Sequence, residues 1–172
     1  FKFQNDKRPK ILFLIGEREY LTSKTLPNYA DANLLRKYRV EFLLADDGES
    51  DFGDIHSEIS DADLLFLSVR RRALSDKDML SLRDFIMKGK PVLGIRTSNH
   101  AFSLRGKSPA SGYKVWEKFD EQVFGGNYTN HYGNKILAIA EINPIKHPIL
   151  EGLQRKKYDT GGSLYKVLPL KK

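Results

Sequence analysis

Three uninterrupted apolar runs most restrict what this chain can fold into: Ile11-Leu12-Phe13-Leu14-Ile15, Leu64-Leu65-Phe66-Leu67 leading to Val69, and Val92-Leu93-Gly94-Ile95. A strand with one wet face alternates apolar and polar residues, whereas a strand covered on both faces does not. Each run is short and bounded by Gly, Pro or charge, so each reads as a buried parallel strand with helices on both faces of the sheet. The expected strands are 10–16, 40–45, 62–69 and 91–95.

The segments between them supply the crossovers. Leu26, Ala30, Leu34 and Tyr38 recur at helical spacing, with Pro27 expected in the first turn and Ser23 or Thr25 as caps. Asp46-Asp47-Gly48 reads as a turn, and 55–59 as a short helix. Ser75 with Asp78 has the form of a capping box, after which Met79, Leu82, Phe85 and Ile86 line one face until Gly89 stops the helix. Strand and helix in this rhythm give an α/β fold with right-handed crossovers, a flavodoxin-like three-layer sandwich whose mainly parallel sheet has order 2-1-3-4. Beyond Leu104 the rhythm changes to a Gly, Ser and Pro loop, a helix over 115–124 with Trp116, Phe119 and Val123 on one face, a strand over 136–142, a turn over 148–153 and a strand over 164–168. A length of 172 residues suits one domain, 1–172.

Composition narrows the chemistry. There is no cysteine, hence no disulfide, no thiolate metal site and no cysteine nucleophile. The net charge of +7 is spread along the chain rather than gathered in a basic and aromatic stripe, so nucleic acid is not an expected partner. No apolar run is long enough to span a membrane. The first residue is Phe1 rather than Met, which raises the expectation of a removed targeting segment and an extracytoplasmic location.

In an open α/β sheet, ligands sit beyond the carboxyl ends of the strands at the switch point. The loops expected there carry Glu17 and Arg18, then Arg70-Arg71-Arg72, then Arg96 to His100. Guanidinium forks match carboxylates, phosphates and paired hydroxyls, so this edge suits an anionic or hydroxyl-rich small molecule. Arg70 to Arg72 are either ligand contacts or a solvated strand exit, and Arg96 is either a ligand contact or a strut paired with a carboxylate such as Glu17. His100 and His131 are either acid and base or turn caps. No third ligand stands at a recognisable spacing from them, so no metal site is expected. Trp116 is either core or a sugar-stacking platform.

The stretch 90–104 resembles the nucleophile elbow of class I glutamine amidotransferases, with Arg96 where those enzymes place their cysteine. The ordered set Gly94-Ile95-Arg96-Thr97-Ser98-Asn99-His100-Ala101-Phe102, Trp116, Phe124-Gly125-Gly126, His131, His147-Pro148-Ile149-Leu150-Glu151-Gly152-Leu153 and Ser163-Leu164-Tyr165-Lys166-Val167 resembles the trehalose-utilisation (ThuA-like) family of that superfamily. Gly16-Glu17-Arg18-Glu19-Tyr20 with Thr25-Leu26-Pro27 fits a branch common in secreted bacterial proteins. The resemblance implies a class I glutamine amidotransferase-like fold and a role in the metabolism of a disaccharide or sugar derivative. It implies no cofactor.

The family continues with further strands beyond Leu-Tyr-Lys-Val, so one edge of the fold is expected to be missing. Glutamine hydrolysis is not expected: the only His-x-Glu, His56 with Glu58, precedes the elbow instead of following it, and nothing replaces the thiol. The expected site comprises His100 and His131 for proton transfer, and Glu17, Tyr20, Arg70, Arg96, Ser98 and Trp116 for substrate. The alternative is a carbohydrate- or anion-binding module that kept the cleft without catalysis, since no carboxylate pair of the glycosidase kind stands near the elbow. The oligomeric state is left open.

Overall fold

The computed structural model describes residues 6–45, 52–133 and 136–170. The polypeptide divides into two compact units, Phe1–Gly125 and Gly126–Lys172. In the first unit the elements run β1 (Lys10–Gly16), α1 (Thr22–Asn33), β2 (Arg39–Leu44), α2 (Ile55–Ile59), β3 (Leu64–Val69), β4 (Leu74–Ser75), α3 (Asp76–Met87), β5 (Val92–Gly94) and β6 (Tyr113–Lys114). The four long strands form one parallel sheet of order β2-β1-β3-β5. This is the flavodoxin-like arrangement, with the order reversal at β1 and β3 that the apolar runs imply. The Asp46-Asp47-Gly48 turn lies outside the described residues.

The sheet is covered on both faces, but unequally. On one face Leu12, Leu14, Leu65 and Leu67 are fully buried among Ile55 and Ile59 of α2, Met79, Leu82 and Phe85 of α3, and Phe102, Trp116 and Phe119. On the other, Ile11, Phe13 and Ile15 pack with Leu26, Leu34 and Phe42, and Phe13 stacks between Phe42 and Phe66 at 4.9 and 4.5 Å. A fully buried Leu or Phe side chain contributes about 1.5–3 kcal/mol of hydrophobic stabilisation. The first face, with helix side chains sealed on both sides of the contact, therefore carries most of the fold's cohesion, because α1 buries only Thr22 and Ala30.

Strand β5 departs from the expectation of burial on both faces. Leu93 pairs with Phe66 in register, so it shares the α1 face, yet it stays 43% exposed. The cause is position: β5 ends the strand order, and a residue at a sheet edge loses the neighbour that would cover it.

Helix boundaries follow local chemistry. Ser75 caps α3, its hydroxyl accepting from the Asp78 amide at 3.2 Å and donating to Asp78 Oδ2 at 2.7 Å. The other Asp78 oxygen accepts from the His56 amide at 2.9 Å, so the expected capping box spends its reciprocal bond on joining α3 to α2. Gly89 ends this segment at φ +73°, a conformation that glycine adopts without steric cost. Helix α1 differs from the reading of its sequence. It starts after Leu21, which takes φ 54° and supplies no side-chain cap, so neither Ser23 nor Thr25 caps it. Pro27 then falls beyond the first turn, where its missing N–H removes a helical bond, and the helix stops at Asn33 before Leu34 and Tyr38.

The helix expected over 115–124 is reduced to turns and one π-helical turn, Asp120–Phe124, closed by Gly125 at φ 70°. Trp116 and Phe119 still reach the core. The second unit contains two short antiparallel pairs, β7 (Asn130–His131) with β10 (Tyr165–Lys166) and β8 (Ile139–Glu141) with β9 (Lys157–Asp159). The strands expected over 136–142 and 164–168 shrink to these cores, and the turn over 148–153 contains a 3-10 turn at Pro148–Leu150.

Candidate functional site

Three strand exits of the first unit meet at one edge. At the exit of β1, the Glu17 carboxylate accepts from the amides of Glu19 at 2.6 Å, Tyr20 at 2.8 Å and Thr22 at 3.0 Å, and from the Thr22 hydroxyl at 2.6 Å. Thr22 Oγ1 also lies 2.8 Å from Ser68 Oγ on β3. Burial of Glu17 opposes its charge most strongly, yet the Thr22 hydroxyl and the three amides together hold its carboxyl below the usual range. Every lone-pair direction of Glu17 thus serves its own loop, and the effect of that loop is to present Tyr20 and Glu19 outward.

At the exit of β3, the backbone joins the elbow. The Arg71 amide donates to His100 O at 3.2 Å and the Arg72 amide to Ala101 O at 2.7 Å, while Arg70 N reaches Gly16 O at 3.3 Å. Arg72 is buried, and its Nε donates to Gly16 O at 3.0 Å. Arg70 faces outward and pairs with Glu19 at 3.2 Å.

The elbow itself is a 3-10 turn over Arg96–His100. Arg96 stands at φ 47° and Arg71 at φ 53°, left-handed backbone that costs an ordinary side chain on the order of 1–2 kcal/mol. Such conformations persist where the surroundings over-determine them, and here the ties are visible. Ser98 Oγ donates to Leu67 O at 2.7 Å, with Ile95 O also within reach at 2.8 Å, and Thr97 Oγ1 donates to Val69 O at 2.9 Å. A Cβ on Gly94 would stand 2.4 Å from the Phe124 ring, so glycine lets that ring close the elbow from below.

Arg96 is exposed. Its guanidinium lies over the Tyr20 ring, 4.4 Å from the centroid, and Nη2 donates to the Tyr20 hydroxyl at 2.8 Å. The strut to Glu17 does not form, because Glu17 is consumed by its own loop. His100 is buried, with Nδ1 2.7 Å from Asn99 Oδ1. An amide oxygen there places the proton on Nδ1, so Nε2 carries the ring's lone pair. Burial first, then the positive charges of Arg71, Arg70 and Arg105, push the imidazole down to about 3. His100 is therefore neutral across the physiological range.

The expected site residues separate into distinct surroundings. Tyr20, Arg70 and Arg96 face outward at the meeting of the three exits, and His100 is buried at the end of the elbow turn. Glu17 and Ser98 lie at the same edge as buried backbone ties. Trp116 belongs to the core, 7% exposed, with the Arg83 guanidinium 3.9 Å from its ring centroid and Phe119 edge-on. His131 lies in the second unit, exposed, its Nδ1 donating to Tyr132 O at 2.7 Å. Glu19 and Arg105 complete the picture and were not among the expected residues. Their signals are modest: Glu19 is a charge in a loop organised by Glu17, and Arg105, itself at φ 56°, precedes Gly106. Among the described residues no group of three His, Cys, Asp or Glu is placed to hold a metal ion, and no helix is long and apolar enough to cross a membrane.

No family model matches the sequence, and no curated protein matches it at a significant level. Among solved structures, the fold is similar to the crystal structure of a ThuA-like protein from Bacteroides uniformis, with a TM-score of 0.63 and 12% identical residues. The match covers 99% of this chain and 66% of that one, so the chain spans just under two thirds of that protein's length. At this identity the likeness is one of architecture. The chain has the fold of a ThuA-like protein.

Proposed function

We propose that 1–172 acts as one ThuA-like domain whose elbow edge takes a sugar or sugar derivative, and that Arg96 holds the ligand where an amidotransferase would attack it. The observation that carries this reading is the outward-facing Tyr20 and Arg96 pair at a strained strand exit. A guanidinium locked in the core would be a strut. One spread over an aromatic ring at a sheet switch point offers a flat donor fork beside an apolar face, which suits vicinal hydroxyls on a sugar ring.

In this reading Tyr20, Arg70 and Arg96 contact the ligand, Glu17 and Ser98 position their loops, and His100 is the candidate for proton transfer. Trp116 supports the elbow through the core and does not stack on a sugar. Glutamine hydrolysis has no nucleophile here, since the chain lacks cysteine.

A second reading is a binding module without turnover. The depressed basicity of His100 favours it, because an imidazole that resists protonation is a weak proton acceptor in a transition state. Titration with a panel of disaccharides and keto-sugars, read by calorimetry and by product analysis, separates the two. Arg96→Lys keeps the charge and removes the fork, so binding should weaken by about 1–3 kcal/mol. Unchanged affinity with lowered thermal stability would make Arg96 a strut and end the proposal.

A further inference from the structure

We infer that Glu19 is a ligand-binding residue of the elbow edge, and that its pairing with Arg70 selects a neutral, hydroxyl-rich ligand over an acidic one. The inference rests on the sugar-site reading and adds to it one residue and the charge of the ligand.

The loop leaving β1 has a fixed root and an open tip. Glu17 Oε2 accepts from the amides of Glu19 and Tyr20 at 2.6 and 2.8 Å, and Glu17 Oε1 from the Thr22 amide and hydroxyl at 3.0 and 2.6 Å. The backbone carrying Glu19 and Tyr20 is thus held by a buried carboxylate. Their side chains instead reach across to the other two exits. Glu19 Oε1 meets Arg70 Nη2 at 3.2 Å at the end of β3, and the Tyr20 hydroxyl accepts from Arg96 Nη2 at 2.8 Å at the end of β5. Glu19 and Tyr20 are consecutive, and β3 and β5 are paired in the sheet. An ion pair and an aromatic–guanidinium pair therefore stand beside each other on one edge.

The four side chains differ in what they offer. A guanidinium only donates, a phenol donates and accepts, and a carboxylate only accepts. A sugar hydroxyl has both a proton to give and lone pairs to fill, so guanidiniums alone satisfy half of it. Glu19 is the one side chain of the four without a donor, and it receives the hydroxyl proton while Arg70 donates to the oxygen. The pair can open to admit such a group. Its side chains are 37% and 44% exposed, so the contact is screened and costs little to separate. Because Glu17 fixes the loop backbone, the change is confined to side-chain rotation.

The same pair sets the preference for charge. Arg70 is met by a carboxylate before any ligand arrives, so an acidic ligand gains less from it and also faces the like charge of Glu19. A neutral polyol meets no such opposition.

The test is calorimetric titration of the full chain with glucose, maltose and trehalose, each beside the acid in which one primary hydroxyl is oxidised to a carboxylate. The expected result is that at least one neutral sugar binds saturably, about tenfold or more tightly than its own acid. Glu19→Gln should weaken the neutral sugar about tenfold and remove most of the preference over the acid, with the Tm unchanged because an exposed pair contributes little to stability. Arg70→Gln should weaken the neutral sugar as well.

A neutral sugar that binds Glu19→Gln as tightly as the wild type makes Glu19 a surface ion pair only, which overturns the inference and leaves the sugar reading standing. An acid that binds the wild type as tightly as its neutral parent also overturns it. Binding lost in Glu19→Gln together with a lowered Tm assigns the residue to the integrity of the loop and counts against it. No saturable binding of any neutral sugar takes down the inference and the sugar reading together.

Discussion

The buried His100 predicts a specific loss of stability in mild acid. In the unfolded chain its imidazole titrates near its ordinary value of 6.5, and in the folded chain near 3. Between those limits the unfolded state binds a proton that the folded state refuses, so stability is fully present above the unfolded value and drains away as pH falls. Complete exclusion of the proton would cost about 2 kcal/mol between about pH 7 and about pH 5. The exposed Arg105 shows that water reaches part of this surface, and halving the effect for screening leaves about 1 kcal/mol.

The perturbation is His100→Gln, which keeps a neutral polar side chain beside Asn99 and cannot titrate. The assay is urea unfolding of both proteins at several pH values in that window, followed by the fluorescence of Trp116, the only tryptophan. The carboxyls of Glu17, Asp61 and Asp63, all held below their ordinary values, stay ionised in the folded protein throughout the window. Titrations common to both proteins cancel in the difference. The wild type should therefore lose about 1 kcal/mol more than the variant on going to the lower pH. Parallel pH profiles would refute the reasoning, because they would mean that His100 takes up its proton as freely folded as unfolded.

Three further outcomes follow from the same packing. Glu17→Gln keeps the size but weakens its acceptors, so it should cost about 1–3 kcal/mol by chemical denaturation and loosen Tyr20, seen as faster amide exchange over 17–22. Gly94→Ala drives a methyl into Phe124 and should cost about 1–3 kcal/mol; a Tm equal to wild type would mean that the ring does not close the elbow. Arg96→Gly relieves the left-handed backbone, so it should leave the Tm unchanged or raised while ligand binding is lost, whereas a fall of about 2 kcal/mol or more would mark Arg96 as structural.

The sheet was legible because its signal is redundant. Several consecutive apolar residues in β1 and β3 each report the same burial, and the cap at Ser75 is specified within four positions of chain. Helix α1 was less legible because its start depends on Leu21 entering a left-handed turn, which follows from Glu17 folding the loop back and leaves no mark at Leu21 itself. The edge exposure of Leu93 was hidden for a related reason: an apolar run reports the faces a strand could bury, and only the strand order tells whether neighbours exist to cover them.

The site divides along a physical line that residue type alone does not reveal. Glu17, Ser98, Tyr20 and Arg96 are all polar or amphipathic residues at strand exits, and from sequence they stand as equals. Their partners separate them. Glu17 and Ser98 bond groups close in sequence or directly across the sheet, contacts that exist to satisfy buried backbone and that leave no donor or acceptor for a ligand. Tyr20 and Arg96 are separated by 76 positions and meet only because β1, β3 and β5 share one register. A contact of that kind satisfies no buried backbone group, and it sits on a backbone that Arg96 adopts at a cost. The positions where the fold spends stability on an outward-facing pair are the ones where ligand chemistry is to be sought.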